Sequence, residues 1–312
     1  MPHEHDPLRV ELRAILDEIA TREFRSLDEL NAFVARRVAE YNARPQPRLG
    51  GLSPHQAAQL LAGDWKRRGP LRLNTELGAA EVRPSRLYRN ARAFLQALRD
   101  EGPALATEFG NLNRRFVSAM LDRLEWDEGE RERVRHLRRH YRVINEEFFQ
   151  PLHLLRVLLG LAHLVRRRRG RFRLTRRAAL LLDEERAGEL YASLFRTFFR
   201  GFNLAYLHDA PDSPALQETL ALTLYRMRAA AAEWHRPLLL AERVLPDAVR
   251  EQPADLFGEN AAAWAFEGRV VQPLVWFGLL ERRDLPGRIP GPEKFEVRKT
   301  PLFDRFLRFD FQ

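Results

Sequence analysis

Apolar residues recur at helical spacing from near the start of the chain: Leu8, Leu12, Ile15, Leu16 and Ile19 share one side of a helix over Leu8–Ala20. Ser26 followed by Glu29 is a capping-box signature for a second helix, from Leu27 to about Asn42. Ser53 is placed to cap a third, opened by Pro54. Over Ser85–Glu101 the residues Leu87, Ala91, Phe94, Leu95 and Leu98 fall on one face, and Gly102–Pro103 stops the helix. Leu105–Ala106 suits a short strand, Thr107 a cap for a helix to about Leu124, and residues 126–142 a charged helix with Val134, Leu137 and Tyr141 on its apolar edge. Glu184–Leu207 carries a wide stripe from Leu190 to Phe202. Asp209–Pro214 is a turn; helices from Pro214 to about Trp234 and over Pro237–Val244 follow. A last apolar helix runs into Gly278, then a hairpin over Glu281–Lys299 with a loose tip DLPGRIPGPE, and a helical tail LFDRFLRF.

The stretch Pro151–Leu182 carries the most information. Pro151 suits a first helical turn, and Leu152, Leu154, Leu155, Val157, Leu158 and Leu159 make that helix apolar nearly all round, as buried helices are. Gly160 is expected to end it in the left-handed conformation. Leu164 and Val165 begin an extended run, Gly170 marks a turn, and Phe172 and Leu174 alternate with Arg171 and Arg173 as in a half-buried strand. Thr175 is placed to cap a helix from Arg176 to about Asp183. Helix, two-stranded hairpin and helix in this order resemble the second half of a winged helix-turn-helix domain. The expected fold class is mostly α: a helical N-terminal region followed by winged-helix-like units with small β-hairpins. The expected division is 1–65 helical, 66–125 helix–strand–helix, 126–182 basic and winged-helix-like, 183–245 a helical connector, and 246–312 a further winged-helix-like unit.

Charge sharpens the picture. The formal charge is +9, and residues 126–180 alone hold 15 Arg against 6 Asp or Glu, so the whole excess lies in that window. A concentrated basic stripe is the footprint of a nucleic-acid binder. The candidate contacts are Arg166, Arg167, Arg168, Arg169, Arg171, Arg173, Arg176 and Arg177 around the hairpin, and Arg135, Arg138 and Arg139 on the charged helix. The helix before the hairpin offers only His153 and Arg156 beyond apolar residues, few for base readout. The hairpin arginines are therefore expected to hold phosphates. With no cysteine there is neither disulfide nor thiolate metal site, and no apolar run spans a bilayer. A cytoplasmic bacterial protein is the expectation.

Two stretches resemble known sequences. YNARPQPRLGGLSPHQA, through Tyr41, Asn42, Arg44, Pro45, Leu49, Gly50, Gly51, Leu52, Ser53 and Pro54, is similar to the tail of integrase-core transposases. Those enzymes carry their catalytic carboxylates on a large α/β core ahead of that tail; forty residues precede Tyr41, so no transposase activity is implied. Leu52, Ser53, Pro54, Gln56, Leu60 and Leu61, continued by Leu105, Thr107, Gly110, Asn111 and Leu112, resemble a region of uncharacterised bacterial proteins with an LSPxQ…LL segment ahead of winged-helix-like units. That resemblance implies architecture and places no catalytic residue.

No P-loop, G-x-G-x-x-G, G-x-S-x-G or H-E-x-x-H occurs. His136 and His140 stand at i, i+4, but Arg135, Arg138, Arg139 and Arg142 around them disfavour a metal, and no cofactor is expected. The leading expectation is a non-enzymatic nucleic-acid-associated protein that grips phosphates, with double-stranded DNA as partner. The alternative is a protein-interaction scaffold whose winged-helix-like units are packing modules.

Overall fold

The computed structural model describes residues 7–207, 213–251, 260–286 and 294–311. The expected turn at Asp209–Pro214 and the tip DLPGRIPGPE fall mostly outside them. The chain is mostly α, with small antiparallel strand pairings. Helices α1 (Pro7–Thr21) and α2 (Leu27–Ala43) come first. Ser26 accepts from the Glu29 amide, while the Glu29 carboxylate reaches past Ser26 to the Arg25 amide. The box at α3 (Pro54–Ala62) is complete, Ser53 and Gln56 each accepting from the other's amide. Strand β1 (Leu71–Leu73) and α4 (Ala79–Val82) lead to α5 (Arg86–Asp100), capped by Ser85. Its expected face, Leu87 to Leu98, is buried.

Next come β2 (Ala104–Leu105), α6 (Arg114–Arg123), α7 (Glu128–His140), α8 (Gln150–Leu161), β3 (Val165–Arg168), β4 (Arg171–Leu174) and α9 (Arg176–Leu181). Thr107 does not cap α6. Its hydroxyl accepts from the Asn111 amide in a turn, and Asn113 caps the helix by accepting from Phe116. The cap moves because residues 106–112 fold back on themselves: Ala106 bridges Leu112, and the Asn113 amide returns to the Leu105 carbonyl. The sheet order is β2-β4-β3. A strand from before residue 125 thus pairs with one from after it, and the division expected at 125/126 runs through a single sheet.

Gly160 does not end α8. The helix continues to Leu161, and the left-handed residue is His163, with φ 57°. The Leu164 amide bonds to the Leu159 carbonyl and the His163 amide to Gly160, the pairing of a Schellman cap with His163 at C′. Ala162, buried beyond the glycine, keeps the helix end packed, and the reversal falls on the exposed His163 that follows it.

The second half is α10 (Ala187–Arg196) with a π turn at Thr197–Gly201, then α11 (Pro214–Glu218), α12 (Leu220–Ala230), α13 (Pro237–Val244) and α14 (Asp247–Arg250). A rod follows, of α15 (Ala261–Phe266), a π turn at Glu267–Val271 and α16 (Gln272–Trp276). Strands β5 (Leu280–Asp284) and β6 (Phe295–Lys299), helix α17 (Pro301–Phe306) and strand β7 (Leu307–Phe309) end the described chain. The tail expected to be helical throughout becomes a strand at Leu307, because β7 pairs with β1.

These elements repeat the earlier ones. At the end of α16, Gly278 (φ 70°) takes the place of His163, with Leu279 bonding to Leu274 and Gly278 to Val275. Thr175 donates its amide to Leu164 and its hydroxyl to His163; Thr300 does the same to Leu279 and Gly278. Ala104 pairs with Phe172 in the first sheet, and His235 bridges Val297 in the second. Among the described residues, two units therefore share the order helix, strand or bridge, three helices, hairpin, helix: α5 to α9, and α12 to α17 with the α15–α16 rod counted as one. The expected units 66–125 and 126–182 are thus halves of one.

One buried apolar cluster runs through both units. Phe195 packs on Phe277 and Phe306, at 5.1 Å each, and the buried Tyr191 hydroxyl donates to the Phe277 carbonyl at 2.6 Å. The aromatic stripe of α10 is thus the joint between the units.

Candidate nucleic-acid interface

Strands β3 and β4 join through Arg169 and Gly170, both at positive φ (50° and 65°), the signature of a two-residue type I′ hairpin. Arg166 lies opposite Arg173 and Arg168 opposite Arg171. Opposed residues share a face and successive ones alternate, so these four arginines stand on one face. Val165, Arg167, Phe172 and Leu174 take the other. Phe172 is buried there, and the Arg167 guanidinium lies against Gly110 in the turn before α6. Arg166, Arg168 and Arg171 are exposed and Arg173 half-buried. Among the described residues, none of the four has an ion-pair partner. Like charges directly across a ladder destabilise it, so this face gains from a bound anion.

The second hairpin pairs its strands in the corresponding antiparallel register and has the opposite electrostatics. Arg283 pairs with Glu296 across the ladder at 2.6 Å, Arg298 with Glu281 at 2.8 Å, and Arg282 with Asp284 at 2.5 Å. Arg283 and Arg298 also lie over the Trp234 ring.

The other expected contacts divide. Arg169 sits in the hairpin turn, and Arg176 and Arg139 are exposed without an ion-pair partner among the described residues. Arg177 instead donates to the Ala162 carbonyl (3.1 Å) and the Ser193 hydroxyl (2.8 Å), tying α9 to the end of α8 and to α10. Arg135 is neutralised by Glu128 and Glu132, and Arg138 by Asp122 at 2.6 Å. The His136 and His140 rings stack at 4.1 Å, and a His140 ring nitrogen meets the His136 carbonyl. No group of three or more potential metal ligands forms among the described residues.

Helix α8 is occupied by a buried carboxylate. Glu146 accepts from the Leu112 amide (2.5 Å), His153 Nδ1 (2.8 Å) and Arg156 Nε (2.5 Å). Burial pushes its carboxyl up, but the hydrogen bonds from His153, Leu112 and Arg156 outweigh burial and hold it below the ordinary glutamate value. Arg156 also lies over the Phe172 ring at 5.5 Å. His153 and Arg156 are therefore turned to Glu146, and the exposed Gln150 in the first turn is the other polar side chain of α8.

Sequence reasoning passed over Arg114, Arg115 and Arg142. They line a hollow between α6 and the end of α7 with Ser118, Arg138 and Tyr141. A signal was present: Arg114 and Arg115 open α6, where the helix dipole disfavours cations, and no acid balances them in that turn.

A family model described as the Y4jL N-terminal domain matches residues 83–187, a third of the chain. The matched stretch runs from just before α5 to just after α9, which is the first of the two repeated units. No curated protein and no solved structure matches the chain.

Proposed function

We propose that this chain is a cytoplasmic, non-enzymatic nucleic-acid-associated protein that grips the phosphate backbone of duplex DNA through the β3–β4 hairpin. The observation that carries the reading is the set of four arginines without ion-pair partners among the described residues on one hairpin face, against a second hairpin whose described arginines are matched with carboxylates. The order of elements in each unit resembles that of a winged helix with one further helix ahead of the hairpin, and a strand or bridge pairs outside that hairpin, which supports the hairpin as a wing. The Glu146 lock on His153 and Arg156 argues for a grip on phosphates rather than base reading by α8. The lack of cysteine suits a reducing compartment, and no helix among the described residues is long and apolar enough to cross a membrane.

The test is a fluorescence-anisotropy titration with duplex DNA across a salt series. Four phosphate contacts at a slope of about 0.9 each give roughly 3.6, so raising salt from about 50 to about 200 mM weakens binding about 150-fold through the hairpin alone. Changing Arg166, Arg168, Arg171 and Arg173 to Ser removes that part of the slope. The fold tolerates the change, because surface substitutions cost within about 0.5 kcal/mol each. No binding by the wild type at low salt, or an unaltered slope in the variant, refutes the reading. The scaffold alternative draws on a different observation: α1 leaves Leu8, Leu12 and Leu16 exposed. It predicts the first of those outcomes.

A further inference from the structure

We infer that the hollow between α6 and the end of α7 is a second phosphate-group site, used by the same nucleic-acid strand that the hairpin holds; the assignment to a strand rests on the proposed function, the phosphate chemistry does not. The hollow has a volume of about 400 Å³, room for a phosphate with part of its sugar or base. Four guanidinium groups and a hydroxyl line it: Arg114, Arg115, Arg138, Arg142 and Ser118. Only Arg138 has a carboxylate neighbour, Asp122. Arg114 Nε turns to the Asn145 side-chain oxygen at 3.3 Å, a neutral acceptor. Arg115 and Arg142 are exposed and have neither hydrogen-bond nor ion-pair partner among the described residues.

Folding alone gives no reason for this arrangement. Two arginines in the first turn of α6 face the positive end of the helix dipole, and two more converge on them from the end of α7. Each term is unfavourable until an anion enters, and then all of them change sign. A phosphate fits the donors: guanidinium forks bind its oxygens in pairs. Ser118, four residues after Arg114 on the same face of α6, adds a hydroxyl donor. Tyr141, its ring 5.1 Å from Phe148, offers a flat apolar wall where a sugar or base can lie. The site adjoins the hairpin through the chain itself. Arg167 of β3 rests on Gly110, and the segment from Gly110 to the Asn113 cap leads directly into Arg114.

Two measurements on the full chain test this. In the first, inorganic phosphate is titrated against sodium chloride of equal ionic strength, with melting temperature as the readout. Phosphate is expected to raise the melting temperature of the wild type and of the Arg166, Arg168, Arg171 and Arg173 to Ser variant, but not of an Arg115→Ser, Arg142→Ser variant. The Arg115→Lys, Arg142→Lys variant should recover part of the rise, which separates lost charge from lost fold. A wild-type response no larger than that to chloride, or a full response in the Ser variant, overturns the site. In the second, the DNA salt series is repeated with the Arg115→Ser, Arg142→Ser variant. Losing two contacts flattens the slope by about 1.8, about a twelvefold smaller loss of affinity between about 50 and about 200 mM salt. An unchanged slope beside an intact phosphate response overturns the assignment to a strand and makes free phosphorylated compounds the source. If instead the hairpin variant binds DNA normally while the hollow variant does not, the hairpin reading fails and this one stands.

Discussion

Replacing Glu146 by Ala removes the acceptor on which three donors converge. The Glu146 side chain is wholly inaccessible, while Arg156 and His153 retain 16% and 40% side-chain exposure. The His153 contact is therefore partly screened by solvent and contributes little. The Arg156 pair and the Leu112 amide carry the cost. Breaking a buried charge pair from one side costs about 3–5 kcal/mol, because the remaining charge is left without a partner. The access that Arg156 keeps to solvent places this case near about 3 kcal/mol, roughly a 150-fold fall in the folded-to-unfolded ratio. Urea denaturation at pH 7 measures it, as a lower midpoint at an unchanged slope. Glu146→Gln keeps the shape but loses the charge and should fall between. The pH dependence fixes the sign. The folded carboxyl titrates below the ordinary glutamate value, so its stabilisation is present above the unfolded pKa of about 4.3 and is lost as pH falls through the folded value. The gap between wild type and Glu146→Gln should be full at pH 7 and shrink as pH falls below the unfolded value of about 4.3. A gap under about 1 kcal/mol at pH 7, or one that widens on acidification, refutes the lock.

Gly278→Ala should destabilise the chain by about 1–2 kcal/mol or more, read by the same denaturation. The left-handed φ penalises any Cβ, and this one would meet the backbone of Pro84 and Ser85 at 3.1 Å. Changing Arg282, Arg283 and Arg298 to Ser should leave the DNA salt slope within about half a unit of wild type, because their charges are already matched by carboxylates. A slope that falls as far as in the first-hairpin variant would mean that the ion pairs open on binding.

Most helices were legible because their apolar faces obey one period and their starts carry caps: Ser26, Ser53, Ser85 and Thr175 all accept from the amide three residues on. What was not legible depended on partners far away in the chain. Thr107 and Asn113 are both competent caps, and only the return of residues 106–112 to the sheet decides between them. Leu307–Phe309 looks helical alone and becomes a strand because β1 lies beside it. Gly160 looked like the helix stop because glycine most easily takes a left-handed turn, yet that turn fell on His163, just after the buried Ala162. In the candidate site, the arginines of the hairpin were visible by alternation. The inward turn of His153 and Arg156 was not, since Glu146 gave no sign in the sequence of being buried beside them.

The duplicated architecture turns the charge pattern into an internal comparison. Both units end a helix with the same Schellman pairing, send out a hairpin, and close it with a threonine that bonds back to the helix end. The helix end, the strand register and the closing threonine thus correspond while the hairpin side chains differ. In the second unit, Glu281 and Glu296 stand where the ladder brings them against arginines, and Trp234 covers the guanidinium faces. The described arginines of that hairpin are thus paired within the fold. In the first unit the opposed positions are arginine on both strands, and no described carboxylate answers them. Since a hairpin of this shape stands well when its charges are paired, the unpaired set is not demanded by the fold. The same reasoning applies to Arg114 and Arg115 at the start of α6, which Asn113 caps; α7, capped by Asp127, instead places acids in its first turn as the dipole favours. Both departures from local electrostatic rule lie in the first unit, and both call for the same thing, an anion from outside the chain.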